Sequence, residues 1–191
     1  MSNQQSLDAA YFDRVYAGSN DPWHFATSPY ENGKYDATLA VLGERRFASA
    51  FEIGCSIGVL TARLAERCDA LLSVDINPKA LDAARERCAG MGNVSFARMT
   101  VPRDFPDARF DLILLSEVAY YWSDEDLALA RDRIAESARG GVLELVHFLP
   151  KVEDYVRDGD AVHEAFLNDP RFARIDHTRA EHFRIDLLRV S

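Results

Sequence analysis

The run Phe51-Glu52-Ile53-Gly54-Cys55-Ser56-Ile57-Gly58, followed by an acid at Asp75, constrains the fold more than any other stretch of the chain. It reads as the end of a buried strand, a tight glycine turn and the start of a helix. Glycine at 54 and 58 lets the backbone take positive φ or approach a ligand closely, because no Cβ stands in the way. A helix opening directly after such a turn points unpaired N–H groups and the positive end of its dipole at whatever lies there. Asp75 ends the next apolar run, Ala70-Leu71-Leu72-Ser73-Val74, which is expected beside the first strand. An acid about 20 residues beyond a glycine turn is placed to hold the ribose hydroxyls of a nucleotide-like cofactor. The expectation is an α/β protein with a nucleotide-handling sheet.

Glycine spacing separates the candidate cofactors. A dinucleotide turn needs G-x-G-x-x-G, and neither Leu60 nor Thr61 supplies the third glycine. Glu52, inside the turn, would repel a diphosphate but can accept a hydrogen bond from an ammonium or hydroxyl group. The Glu-x-Gly-x-x-x-Gly pattern resembles motif I of class I S-adenosylmethionine-dependent methyltransferases, whose cofactor carries an amino acid in place of a diphosphate. Ser56 stands where the common form has glycine, and a small side chain fits there in a slightly more crowded loop. Cys55 sits at a helix N-terminus, a position that lowers a thiol pKa, but a cofactor turn has no task for a nucleophile.

At 191 residues the chain is long enough for one well-cored domain and short of two. Its formal charge of −9, spread along the sequence, argues against nucleic acid or an anionic membrane as a partner. No apolar run nears the roughly 20 residues of a membrane span. Met1-Ser2-Asn3-Gln4-Gln5 lacks the basic start and apolar core of a signal peptide. Cys55, Cys68 and Cys88 cannot all pair, and neither they nor the histidines show metal-ligand spacing. No metal is expected, and a reducing cytoplasm is the expected compartment.

Leu7 to Tyr16 carries the spacing of a short amphipathic helix, and a second helix is expected from about Tyr30 to Arg45. Both precede the first strand. They are expected to fold over the cofactor turn as a lid (residues 1–46) on a core of residues 47–191, all in one domain. Trp23 and Phe25 suit core packing of that lid. Alternatively Trp23, Tyr30 and Tyr35 wall a pocket, with Lys34 available to a carboxylate; aromatic faces suit a sulfonium or an amine. Asn77 and Pro78 open a helix to about Cys88. Val94–Met99 is read as the third strand, followed by Thr100 and Val101. Phe110–Leu115 is the fourth, apolar enough for a central position. Ligands of open α/β sheets lie outside the carboxyl ends of strands, so Ser116 and Glu117 should face the cofactor. Ser123 caps a helix through about Ser137, Val142–Phe148 is the fifth strand, and a helix follows near Asp158–Leu167. Two strands, about Phe172–His177 and His182–Val190, suit a closing antiparallel hairpin at the sheet edge.

Asp21-Pro22-Trp23, Tyr30-Glu31, Glu52-Ile53-Gly54-Cys55, Phe110-Asp111-Leu112-Ile113 and Ser116-Glu117-Val118-Ala119-Tyr120-Tyr121 together resemble the nodulation protein S family of S-adenosylmethionine-dependent methyltransferases. The likeness is densest from Asp21 to Trp122. It implies a Rossmann-like class I methyltransferase fold, a seven-stranded and mostly parallel sheet with helices on both faces, and S-adenosylmethionine as cofactor. Founding members methylate the free amine of a de-N-acetylated chitooligosaccharide, so the implied acceptor is a small molecule, an amino sugar or oligosaccharide. A monomer or homodimer is expected.

The cofactor set expected on this reading begins with Trp23, Lys34 and Tyr35 on the lid and Glu52, Gly54, Cys55, Ser56 and Gly58 at the turn. Asp75 and Ile76 serve the ribose, Thr100 and Val101 lie by the adenine, and Ser116 and Glu117 follow the fourth strand. Methyl transfer is an in-line displacement in which the protein supplies proximity and orientation, and a base helps if the amine arrives protonated. Glu117 either orients or deprotonates that amine, or bonds the cofactor's amino group, or is structural. His147 is a second candidate base or a satisfied core histidine, and Tyr120 and Tyr121 are expected at the acceptor site, with one of the two in the core. An O-methyltransferase would share the same cofactor site. A non-catalytic cofactor-binding scaffold stays open on the strength of Ser56 and Thr100, and a nicotinamide oxidoreductase is disfavoured by the missing glycine.

Overall fold

The computed structural model describes residues 5–191; the first four positions of the Met1–Gln5 start, and of the lid, lie outside the described residues. Two helices come first. α1 (Ala9–Ala17) starts where the Asp8 side chain accepts from the Tyr11 N–H, and α2 (Pro29–Val41) starts at a Ser28 cap with proline in its first turn. Both are N-cap solutions to unpaired helix-end donors. α2 stops at Val41, short of Arg45, because Gly43 turns the chain at φ 61°.

The sheet strands are β1 (Ala50–Ile53), β2 (Leu71–Asp75), β3 (Val94–Arg98), β4 (Leu112–Ser116), β5 (Val142–Phe148), β6 (Phe172–Arg179) and β7 (Phe183–Val190). They lie in the order β3-β2-β1-β4-β5-β7-β6, parallel from β3 to β5, with β7 antiparallel to both β5 and β6. This is the seven-stranded, mostly parallel sheet with an edge hairpin that the sequence implied. The fourth strand begins at Leu112 and not Phe110, because the Asp111 carboxylate instead accepts from the Ala48 and Ser49 N–H groups at 2.8 and 2.9 Å. That pair of bonds ties the start of β4 to the start of β1.

Helices α3 (Val59–Leu64), α4 (Pro78–Arg87), α5 (Asp124–Ser137) and α6 (Gly159–Leu167) complete the order. Side chains alternate across the buried strands, so Phe51, Ile53, Ile113 and Leu115 pack towards α5 and α6, while Ala50, Leu112 and Leu114 pack towards α2 and α3. The sheet is covered on both faces, as a central parallel sheet requires. Among the described residues no helix is long and apolar enough to cross a membrane.

Strand order reverses between β1 and β4, and the loops leaving their carboxyl ends part there. Such a switch point opens a crevice for ligands. Gly54 leaves β1 and Glu117 leaves β4 at this place.

Candidate functional site

The glycine turn is built by backbone bonding. Gly54 and Cys55 N–H both donate to the Val74 carbonyl, at 2.9 and 3.0 Å, so the turn is docked on β2. Gly54 has φ 84°, and a Cβ there would meet Val118 Cγ2 at 2.1 Å and the Ser116 carbonyl at 3.3 Å. Glycine is required on both counts. Gly58 also has positive φ, and its missing Cβ makes room for Ala84 of α4 at 2.9 Å, so it serves helix packing. Glu52 is fully buried beneath the turn, where its Oε2 accepts from Thr61 and Ser73 hydroxyls at 2.6 and 2.7 Å.

Asp75, at the end of β2, accepts from the backbone N–H of Ser56 and of Asn77, each at 2.9 Å. Burial raises its pKa, and the N–H bonds from Asn77, Ser56 and Ile76 work against that rise. The carboxylate lines a cavity of 460 Å³ that opens at the strand carboxyl ends. Trp23, Lys34, Gly54, Ser56, Asp75, Ile76, Thr100, Val101, Glu117 and Tyr120, all named from the sequence, line this cavity. Tyr35, Glu52, Cys55 and Ser116 instead line an adjoining cleft of 30 Å³ behind the turn, which shares Gly54, Ser56 and Glu117 with the larger space. His147 lines neither; it is fully buried under the cavity floor. Burial, then the charge of Asp75, pushes the Cys55 thiol well up, which leaves it inert.

Glu117 is tightly constrained. It is a non-glycine residue at φ 58°, a conformation that costs on the order of 1–3 kcal/mol and persists only where surroundings enforce it. Three donors do so: Lys34 Nζ at 2.6 Å on Oε1, and Tyr120 hydroxyl at 2.5 Å and Phe148 N–H at 3.1 Å on Oε2. Lys34 also contacts Glu31, at 2.9 Å, one helical turn earlier in α2. Burial works against the Lys34 charge, but Glu117 and then Glu31 outweigh it and hold the ammonium above the ordinary lysine range. Burial raises the pKa of Glu31, which Lys34 opposes. Lys34 therefore has two carboxylates in place of the free valence the sequence reading assigned it. The wall around this anchor is negative and aromatic.

Sequence reasoning missed several cavity residues. Tyr16 of α1 reaches the turn and shares a 2.5 Å hydrogen bond with the Ser56 hydroxyl. Its helix is tied down by Asn77 Nδ2 donating to Asp13 at 2.9 Å and by Lys79 donating to the Tyr16 carbonyl at 2.7 Å. Tyr155, from the β5–α6 connection, stacks on Tyr120 with ring centres 4.4 Å apart. Arg103 pairs with Asp126 at 3.0 Å on the far rim. Tyr30, expected on the wall, packs outside against Phe148, His182 and Phe183. Only Tyr16 had a sequence signal, the 3–4 residue spacing with Phe12; the others depend on contacts between distant segments.

The arrangement can hold a nucleoside by Asp75, an amino-acid moiety beside the docked glycine turn, and a cation against Glu117 and the rings around it. Comparisons with known proteins give the family and the fold. The family model for nodulation protein S (NodS) matches residues 12–138. The nodulation protein S of Bradyrhizobium diazoefficiens is 36% identical over 108 residues, 55% of this chain and 51% of the relative. The chain spans about half the length of the curated relatives it matches. A crystal structure of the N-methyltransferase NodS from Bradyrhizobium japonicum WM9 in complex with S-adenosylhomocysteine superposes with a TM-score of 0.84 at 23% identity, over 95% of this chain and 97% of that one. The 1,6-didemethyltoxoflavin-N1-methyltransferase of Burkholderia thailandensis, with bound 1,6-didemethyltoxoflavin and S-adenosylhomocysteine, superposes with a TM-score of 0.75 at 18% identity, over 96% of this chain and 87% of that one.

Proposed function

The chain belongs to the nodulation protein S family, and from that premise we propose that it is an S-adenosylmethionine-dependent N-methyltransferase of the cytoplasm acting on a small amine, with an amino sugar or its oligosaccharide as the acceptor class. The observation that carries this reading is the juxtaposition of Gly54, Asp75 and Glu117 at one switch point. A backbone with no room for a Cβ, a carboxylate that among the described residues is bonded only by main-chain N–H groups, and a pinned second carboxylate converge on one cavity. These residues fit the cofactor. Asp75 has acceptor capacity left for two vicinal hydroxyls, and its existing partners are all neutral.

Bound S-adenosylmethionine would supply an electrophilic methyl group on a cationic sulfur. Ser56 and Gly54 shape the turn that would receive its amino-acid end, Asp75 and Ile76 flank the place for its ribose, and Thr100 and Val101 that for its adenine. Glu117 can accept a hydrogen bond from the incoming amine, which must carry its lone pair to attack, and its carboxylate balances the positive charge that builds on the nitrogen until the displaced proton passes to Glu117 or to solvent. Its grip by Lys34 and Tyr120 keeps it from swinging away. Such preorganisation is what proximity catalysis needs. Tyr120, Tyr121 and Tyr155 wall the acceptor side, where a ring face attracts a cation. α1 and α2 act as the cover, because Tyr16 bonds the turn itself; hydrogen exchange over residues 7–45 should slow when S-adenosylhomocysteine binds, and equal exchange would remove that role.

The test is transfer of a labelled methyl group to glucosamine oligomers and, in parallel, to hydroxyl analogues lacking the amine. Label on the amines alone, with kcat reduced roughly tenfold to a hundredfold in Glu117→Gln, is the expected result. Label on hydroxyls only would make the protein an O-methyltransferase.

A further inference from the structure

His147 is absent from the cavity wall, yet it is bonded to it. The floor beneath Glu117 is a 3₁₀ turn, Ala119–Tyr121. The Ala119 N–H donates to His147 Nε2 at 3.3 Å. His147 Nδ1 lies 3.2 Å from His163 Nε2, and His163 Nδ1 lies 2.6 Å from Asp186 Oδ2. All three side chains are fully buried. They come from β5, α6 and β7, three elements that meet only in the folded chain.

The donors fix the protons. A main-chain N–H can only donate, so His147 Nε2 carries its lone pair and the ring proton sits on Nδ1. That proton points at His163 Nε2, which must then be bare, and the His163 proton on Nδ1 points at the Asp186 carboxylate. Asp186 Oδ2 also accepts from Arg184 Nε at 2.8 Å, while Arg174 Nε lies 2.8 Å from Oδ1 as an ion pair without hydrogen-bond geometry. His147 faces His163, the Tyr120 ring and, further off, Lys34; His163 faces Asp186, Arg184 and Asp160. Burial, then His163, pushes the His147 pKa well down, and burial pushes that of His163 down against the pull of Asp186. Both rings are neutral near pH 7, as the bond pattern demands.

Gly159 makes the chain of bonds possible. A Cβ at this first residue of α6 would stand 2.4 Å from the Phe148 carbonyl and 3.0 Å from His147 Cβ. Glycine lets the helix start press against β5, and one turn later His163 reaches His147. A buried polar chain is costly unless its members are paired, and the two rings and Asp186 Oδ2 pair only in a single proton arrangement, which ends at the residue between Val118 and Tyr120.

We propose that His147 and His163 are positioning residues, whose ordered Nδ1–H tautomers link Asp186 to the Ala119 amide and so hold the Glu117–Tyr121 segment in the conformation where Tyr120 and Lys34 grip Glu117. The inference deepens the methyltransferase reading by assigning what keeps its anchor in place, and it rests on that reading for its catalytic consequence alone.

The test is nitrogen-15 NMR of histidine-labelled full-length protein at pH 7, with the two signals assigned by their loss in H147Q and H163Q. Both rings should show the Nδ1–H neutral tautomer, and Gly159→Ala should abolish it at His147. An Nε2–H tautomer at either ring, or a protonated ring, would overturn the proposal. Tyrosine ring-carbon labelling then reads the Tyr120–Glu117 bond directly, with its signal moving in H147L and returning in H147Q, whose side-chain oxygen can still accept from Ala119. In methyl transfer, H147L should lose roughly tenfold to a hundredfold in kcat with little change in KM for the cofactor, and H147Q should recover most of it. A folded H147L with the wild-type tyrosine signal and wild-type kcat would reduce the pair to core packing. If the wild-type protein methylates no amine, the function falls, while the histidine and tyrosine spectra still decide the positioning claim.

Discussion

At the scale of single residues the site depends on a few atoms that leave no alternative. Gly54 is the clearest. Replacing it by Ala puts a Cβ 2.1 Å from Val118 Cγ2 on a backbone already at φ 84°. Something must move, and both candidates, the β1 turn and the β4 turn, line the cavity. Gly54→Ala is expected to lower stability by about 1–3 kcal/mol, the range for overpacking, and to remove S-adenosylhomocysteine binding. Chemical denaturation beside a binding titration checks both; a variant that binds like wild type would show the close approach to be incidental. Gly54 and Asp75 were legible in the sequence because their constraints are local, a turn and the acid about 20 residues beyond it. Lys34 was placed at the cavity from sequence, but its partners were not. Glu31 lies one helical turn away and Glu117 lies 83 residues away, and no spacing rule connects the second to α2. Val118, the atom that makes Gly54 indispensable, was equally silent.

At the scale of elements, β5 carries two buried polar side chains with opposite fates. His147 is satisfied by α6 and the 3₁₀ turn. Glu144, three residues earlier on the other face, has both carboxylate oxygens buried without a hydrogen-bond partner among the described residues, opposite Leu114 and Leu187. Burial raises its pKa well above the ordinary carboxylate value, with only Arg67 pulling the other way. The folded state therefore prefers the protonated acid. A group whose folded pKa is raised contributes its stability below the unfolded value, near 4.3, and loses it as pH rises towards the folded value. Glu144→Leu is thus expected to stabilise the fold by about 1–3 kcal/mol at pH 7, with the gain shrinking on acidification towards pH 4. Melting temperatures of both proteins across pH 4–8 measure it, and a gain independent of pH would mean that the carboxylate finds solvent or a counterion.

Element boundaries were read well where a capping side chain or glycine sets them. Asn77-Pro78 opens α4, Ser123 opens α5, and β5 spans Val142–Phe148 as the pattern predicts. They were misread where tertiary bonding decides. Asp111 spends its carboxylate on Ala48 and Ser49 and delays β4. The 3₁₀ turn Ala119–Tyr121 carries no pattern of its own, since its conformation is set by the β4 exit and by His147 beneath it.

On the scale of the whole molecule, sheet order does the work that no single motif could. Placing β1 beside β4 brings residues 54, 75 and 117 to one crevice, while α1 and α2 supply Tyr16 and Lys34 from the chain's beginning. The glycine turn and the apolar strands announced such a sheet. The aromatic wall beside Glu117 was announced only at Tyr120, because Tyr155 and Phe148 join the cavity only after β5 and its following connection fold back across the floor. The central claim is that this crevice binds S-adenosylmethionine through Asp75. Calorimetric titration of the wild-type protein and of Asp75→Ala with S-adenosylhomocysteine, with NAD as control, tests it most directly. The expected result is saturable binding to the wild type, a loss of roughly tenfold to a hundredfold in the variant from the removed charged hydrogen bonds, and no heat with NAD. Absence of binding to the wild type, or equal affinity in the variant, would contradict it.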